Sequence, residues 1–168
     1  MEQVSLTFNY TKEEFIKAEK KYLLASKAIS KIHMVFVAGY FIFSAAYLFA
    51  SSASLTSIVC LTIASLALAL GVFLYFASPS IRFKQTAKYY EQYTLTFSKD
   101  LIHFKTPSIN SELSWSIYSE LWETAQFYYM IQGKRMYTLL PKRVFKSDGE
   151  IKAFEALAEQ HFKQIRQI

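Results

Sequence analysis

No charged side chain occurs between Lys31 and Arg82, and the chain's single cysteine, Cys60, lies inside that stretch. With no second cysteine there is no intrachain disulfide and no cysteine metal cluster. The four glycines, Gly39, Gly71, Gly133 and Gly149, are scattered, so neither G-x-G-x-x-G nor G-x-x-x-x-G-K occurs and the usual phosphate cradles are missing. Serines are plentiful, but no G-x-S-x-G elbow is present. His33, His103 and His161 are far apart and lack the H-x-x-x-H or H-E-x-x-H spacing of a metal site. Glu120 and Glu123 flank Trp122 and read as solvent-facing residues rather than a paired-carboxylate site. The expectation from these absences is a protein that is not an enzyme and holds no cofactor or metal. Nor is there a short basic leader running straight into an apolar core, so the first apolar segment reads as retained, not as a cleaved signal.

What is present in the uncharged stretch is length. A bilayer's hydrocarbon core takes roughly 20 apolar residues per helical crossing. One straight helix over the whole stretch, at about 1.5 Å per residue, would far exceed it. The stretch therefore reads as a transmembrane helical hairpin, residues 32–81, with spans at about 32–50 and 55–78 joined by the turn Ser51-Ser52-Ala53-Ser54. Lysines crowd the approach to the first span, and Arg82, Lys84 and Lys88 follow the second. The turn has no basic residue, which places both termini in the cytoplasm by the positive-inside rule. Pairs of small residues four apart, Ala46/Ala50, Ser65/Ala69 and Ala67/Gly71, are expected to pack the spans on each other, with homodimerisation through the same face as the alternative. The lack of Asp, Glu, Arg or Lys at membrane depth argues against an ion or proton conduit.

On either side lie globular patterns. Val4, Leu6, Phe8 and Tyr10 alternate with polar residues as in a half-buried strand. Thr11 and Glu14 form a T-x-x-E capping box, and Phe15, Ala18, Tyr22, Ala25, Ile29 and Ile32 draw one apolar stripe down the helix that follows. Residues 1–31 are expected to pack with the C-terminal domain, residues 82–168. There, alternating runs predict five or six antiparallel strands: Tyr93–Phe97, Leu101–Thr106, Leu113 through Trp115 to Ile117, Leu121–Thr124, Phe127–Ile131 and Met136–Leu140. The last two flank the turn Gln132-Gly133-Lys134-Arg135. Pro141 ends the last strand. Ser147 and Glu150 then cap a helix with Ile151, Phe154, Leu157, Ala158, Phe162 and Ile165 on one face. The fold class is α+β: a membrane hairpin plus an antiparallel sheet or partial barrel capped by a C-terminal helix.

The net charge of +6 is mild. Lys134 and Arg135 in the hairpin turn, with Lys142, Arg143 and Lys146 around the Pro141 corner, are the candidate surface for anionic lipid heads or a membrane-protein partner. Solvated loop charge is the alternative reading. The aromatics Phe127, Tyr128, Tyr129 and Tyr137 read as core, not as a stacking platform for nucleic acid.

Three segments resemble the bacterial YcxB-like family. Phe8-Asn9-Tyr10-Thr11-Lys12-Glu13-Glu14-Phe15 is similar to the family's strand and capped-helix start. Trp115-Ser116-Ile117 with Leu121-Trp122-Glu123-Thr124 is similar to its W-x-x-I and E-T core, with the Trp-to-Ile spacing one residue short. Leu140-Pro141-Lys142-Arg143-Val144-Phe145 is similar to its I-P-K-R-x-F signature. The resemblance implies a small bacterial inner-membrane protein with a two-helix hairpin and a pleckstrin-homology-like C-terminal domain, and it implies no reaction. The expected function is a non-enzymatic binding or scaffolding module. An accessory subunit of a larger membrane complex stands second, and an enzyme of unrecognised type third.

Overall fold

Strand alternation and two capping boxes set the elements of the chain. The computed structural model describes residues 3–27, 31–133 and 136–168. The chain divides into two units, Met1–Glu14 with Thr86–Ile168, and Phe15–Gln85.

In the first unit, β1 (Val4–Phe8) pairs antiparallel with β2 (Tyr93–Phe97), setting Val4 opposite Phe97, Leu6 opposite Leu95 and Phe8 opposite Tyr93. All six are buried. The other face is polar, with Ser5 and Thr96 hydroxyls 3.0 Å apart and those of Thr7 and Thr94 3.3 Å apart, the cross-strand hydroxyl pairing that favours this register. β3 (Leu101–Lys105) and β4 (Asn110–Ser114) complete a four-stranded sheet in the order β1-β2-β3-β4. A second sheet runs β7-β6-β5-β8, built from β5 (Glu120–Glu123), β6 (Phe127–Gly133), β7 (Met136–Pro141) and β8 (Ile165–Gln167). Between β7 and β8 lies a helix, numbered α5 for its place in the chain (Asp148–His161), whose N-terminus is capped by Ser147 accepting from the Glu150 amide. One core joins the elements: Leu6, Leu95, Phe97, Ile102, Leu121, Tyr128, Met130 and Leu140 from the two sheets meet Phe154, Leu157, Ala158 and Phe162 of the helical segment.

Two expectations in this unit are corrected. Trp115 and Ile117 do not continue a strand. The Ser114 hydroxyl accepts from the Ser116 amide and turns residues Trp115–Ile117 into a single 3-10 turn, the local competition that serine offers to the ladder. Trp115 then enters the core and donates its indole N–H to the Ser98 carbonyl at 2.9 Å. Ile165 is not on the helix either. α5 stops at His161, and Ile165 opens β8, which pairs parallel with β5. Among the described residues, the C-terminal segment holds seven strands, β2 to β8, rather than five or six, and β1 makes eight.

In the second unit, α1 (Lys12–Ala25, of which Phe15 onward lies here) is followed by α2 (Lys31–Ala50) and α3 (Leu55–Val72). The helical path continues through a wide turn at Phe73–Ala77 into α4 (Ser78–Gln85). Pro79 lacks an amide hydrogen to give to the preceding turn, and just before it the Ser78 amide reaches back five residues to the Phe73 carbonyl. Ile32–Ala50 and Leu55–Gln85 are long and apolar enough to cross a bilayer. Ser52 and Ala53 take positive φ in the turn between them, and the Ser54 hydroxyl caps α3. The seam between α2 and α3 buries Ser44, Ser57 and Ala64, with Gly71 half-buried. Ser57, Ala64 and Gly71 are seven apart and so share one face of α3. The expected packing residues Ala46, Ala50, Ser65, Ala67 and Ala69 are exposed instead; the face of α3 turned to α2 is the one that carries Ser57 and Ala64.

α1 packs along the end of the long helix. The Phe15 and Phe83 rings lie 5.4 Å apart, Glu19 is ion-paired with Arg82, and the Lys20 ammonium stands 5.2 Å from the Tyr75 ring centre and 4.8 Å from that of Phe76.

Candidate functional site

The first and last of the motif segments meet in the sheet unit. The Thr11 hydroxyl accepts from the Glu14 amide at 3.2 Å and the Glu14 carboxylate accepts from the Thr11 amide at 3.3 Å, so the capping box is formed. Glu14 carries a second load. After Pro141 the chain makes a short 3-10 turn, Lys142–Val144, which brings Arg143 to that same carboxylate. Its Nε donates to Oε1, and Nη2 donates to Oε2 at 2.8 Å. Nη2 also donates to the Asn9 carbonyl at 3.0 Å. Beside this fork, the Tyr10 hydroxyl donates to the Leu139 carbonyl at 2.6 Å. Burial, followed by the neighbouring Tyr93, Tyr89, Tyr118 and Glu14, holds the Tyr10 phenol well above its ordinary range.

The Arg143 hydrogen bonds hold the Glu14 carboxyl below its usual value of 4.5, and Glu14 in turn raises Arg143. A carboxyl depressed on folding contributes stability above its unfolded pKa and loses it as pH falls through the folded value. Arg143→Ala is therefore expected to lower the stability of the sheet unit at pH 7 by about 1 kcal/mol, the upper end for a partly exposed but bidentate pair. The gap from wild type should close as pH drops below 4.5. Denaturant titrations of both proteins at neutral and acid pH measure it; a gap independent of pH would show that Arg143 acts through packing alone.

Lys142, adjacent in sequence, takes different partners. Its ammonium lies 2.5 Å from the Glu123 carboxylate and 4.4 Å from the Tyr128 ring centre. Tyr128 is fully buried and donates its hydroxyl to Glu155 at 2.5 Å. Burial and then that carboxylate acceptor push its phenol upward. Glu123, expected to face solvent, is thus half-buried and ion-paired, while Glu120 accepts the Trp122 indole N–H at 2.6 Å. Lys146 is exposed and donates its backbone amide to Glu150. Lys134 and Arg135 lie outside the described residues.

Of the five basic residues picked out in the sequence, Lys142 and Arg143 each serve an internal carboxylate. The arrangement fastens the Pro141 corner to β5 on one side and to the start of α1 on the other. Sequence reasoning missed Glu123 as the partner of Lys142 and missed the second role of Glu14. The capping pattern identifies Glu14, but nothing local announces a partner 129 residues away. His161 stacks on Trp115 with ring centres 4.7 Å apart. Among the described residues no three His, Cys, Asp or Glu side chains converge as a metal ion requires.

These features define an α+β chain with two antiparallel-rich sheets, whose first two strands are separated in sequence by two helices long and apolar enough to cross a bilayer. Residues 97–158 match the model of the YcxB-like protein family, the family that the motifs resemble. The match runs from the end of β2 into α5 and takes in Trp115, the Leu121–Thr124 run and the Leu140–Phe145 segment. No curated protein and no solved structure matches the chain.

Proposed function

We propose that this chain is an integral protein of the bacterial inner membrane, anchored by α2 and α3 with both termini in the cytoplasm, and that its sheet unit is a pleckstrin-homology-like, non-enzymatic binding or scaffolding module. The observation that carries this reading is the place of the insertion. The helices enter between β1 and β2, which pair directly, so the chain leaves the sheet at Phe8 and returns opposite it at Tyr93. A domain joined to a membrane hairpin through two neighbouring strands, at the same end of the pair, is suited to presenting a surface rather than to moving a lid. The apolar faces support the anchor: Phe49 is 86% exposed and Leu55 78%, a surface that water does not tolerate at this extent. The strand order, a four-stranded meander, three further antiparallel strands and then α5 packed into the core, supports the pleckstrin-homology likeness.

The test is directional labelling. In a Cys60→Ser background, Ser52→Cys is expected to react with a membrane-impermeant maleimide from outside spheroplasts, and Lys99→Cys only after lysis. Equal labelling of both before lysis would sink the topology. An accessory role in a larger membrane complex is the second reading, favoured by the exposed small residues Ala46, Ala50, Ser65 and Ala69, which leave room for a close-packed foreign helix. A stoichiometric partner on purification in mild detergent would favour it.

A further inference from the structure

Net charge is divided between the two units in a way that the linear sequence hides. The sheet unit holds twelve basic and twelve acidic residues, whereas the helical unit holds seven basic residues and one acidic. That one acid, Glu19, is buried and paired with Arg82. All seven basic residues lie at 17–31 and 82–84, at the end of the hairpin opposite its turn. Lys17, Lys21, Lys27 and Lys84 are exposed.

At that same end, α2 and α3 part around a groove of about 370 Å³ lined by residues that include His33, Val37, Ala38, Ala67, Gly71 and Leu74. The lining is apolar apart from His33. A side chain built on Gly71 would meet nothing within 4 Å, so the groove is open where the small residues lie. Leu74 is part of its lining, and the next two residues, Tyr75 and Phe76, are the rings that Lys20 covers. An apolar trough thus carries one imidazole in its lining, and an ammonium stands over the two rings that follow Leu74 in sequence, inside a unit with no exposed acid.

We propose that the hairpin binds one anionic phospholipid, with an acyl chain along the Val37–Ala38 and Ala67–Gly71 walls and its phosphate met by His33 and Lys20. The charge pattern selects this occupant over a second copy of the chain, because an identical basic collar would be brought against itself. The proposal rests on the membrane reading above and narrows it. It also moves the anionic-lipid contact from the Pro141 corner, where Lys142 and Arg143 are engaged internally, to the start of the hairpin.

The experiment uses the full chain in vesicles of equal parts phosphatidylglycerol and phosphatidylcholine, with retained lipid counted by native mass spectrometry after mild extraction. Wild type should keep a single phospholipid, with phosphatidylglycerol favoured about five-fold for the basic contact. Gly71→Leu fills the groove and should lose retention of both lipids. Ala67→Leu narrows the same groove and should repeat that result, which guards against a folding defect at one position. Lys20→Gln should keep a lipid but lose the preference. Equal retention of the two lipids by wild type, or retention unchanged in both groove variants, would overturn the proposal. So would a dimer that Gly71→Leu abolishes while lipid binding persists. Failure of the membrane reading looks different: alkaline carbonate would release the chain from membranes, whereas an embedded chain that keeps no lipid overturns only this proposal.

Discussion

Residues 86–168 produced without the first fourteen residues will not unfold cooperatively, and a peptide of residues 1–14 added in trans will restore the transition. β1 supplies Val4, Leu6 and Phe8, exposed by 3%, 1% and 4%, to the core between the sheets. Full burial of side chains of this size contributes about 1.5–3 kcal/mol each. Together they approach the whole stability of an ordinary domain, about 5–15 kcal/mol. Phe8 also stacks on Tyr93, with ring centres 5.8 Å apart, and loss of the segment takes away the Tyr10 hydroxyl from the Leu139 carbonyl and Glu14 from Arg143. β2 would become an unpaired edge and a site of aggregation. Near-UV circular dichroism melts of the fragment, with and without peptide, measure the effect. In the full chain Leu6→Asp should reproduce it by burying an unpaired carboxylate. A fragment that melts as cooperatively and as high as the sheet unit of the intact protein would show that β1 is dispensable.

The sequence is most legible where the signal is local. The alternation of Val4, Leu6 and Phe8, the capping boxes at Thr11 and Ser147, the uncharged span of the hairpin and the strands β2 and β6 are each carried by neighbouring residues. What escaped depends on tertiary choices. Trp115 keeps the period of a strand, yet the Ser114 hydroxyl turns the backbone there and the indole finds the Ser98 carbonyl across a turn. Ile165 keeps the period of a helix, yet the free edge of β5 takes residues 165–167 as a strand. The small residues of the hairpin are visible, but which of them face the seam depends on how each helix is rotated about its own axis, which spacing along the chain does not set. The candidate basic site was the least legible feature. Lys142 and Arg143 look alike in sequence, and their charge is spent on Glu123 and Glu14, acids contributed by segments far away in the chain. The excess charge that remains belongs to the helical unit, a division that appears only once the strand at the N-terminus is grouped with the sheets.

Phe154→Ala is the point substitution expected to cost most, about 3–5 kcal/mol. Its ring is fully buried and lies 4.9 Å from Phe97 in the first sheet, 5.2 Å from Tyr128 in the second and 5.5 Å from Phe145 after the Pro141 corner. Removing it empties the place where both sheets and the corner converge on α5, and no neighbour can close the gap without leaving one of the others. Phe154→Leu keeps most of the volume and should lose less. Lys152→Ala, on the exposed face of the same helix, should stay within about 0.5 kcal/mol of wild type. For a domain of this size each kcal/mol lowers the melting temperature by about 4–8 °C, so the three variants separate clearly in thermal melts of the full chain in detergent. Lipid retention by the hairpin draws on none of these contacts and should survive Phe154→Ala unchanged. If the melts of Phe154→Ala and Lys152→Ala coincide, α5 is not the plug that joins the two sheets. If lipid retention falls together with the sheet unit, the groove between α2 and α3 is not the seat of the lipid.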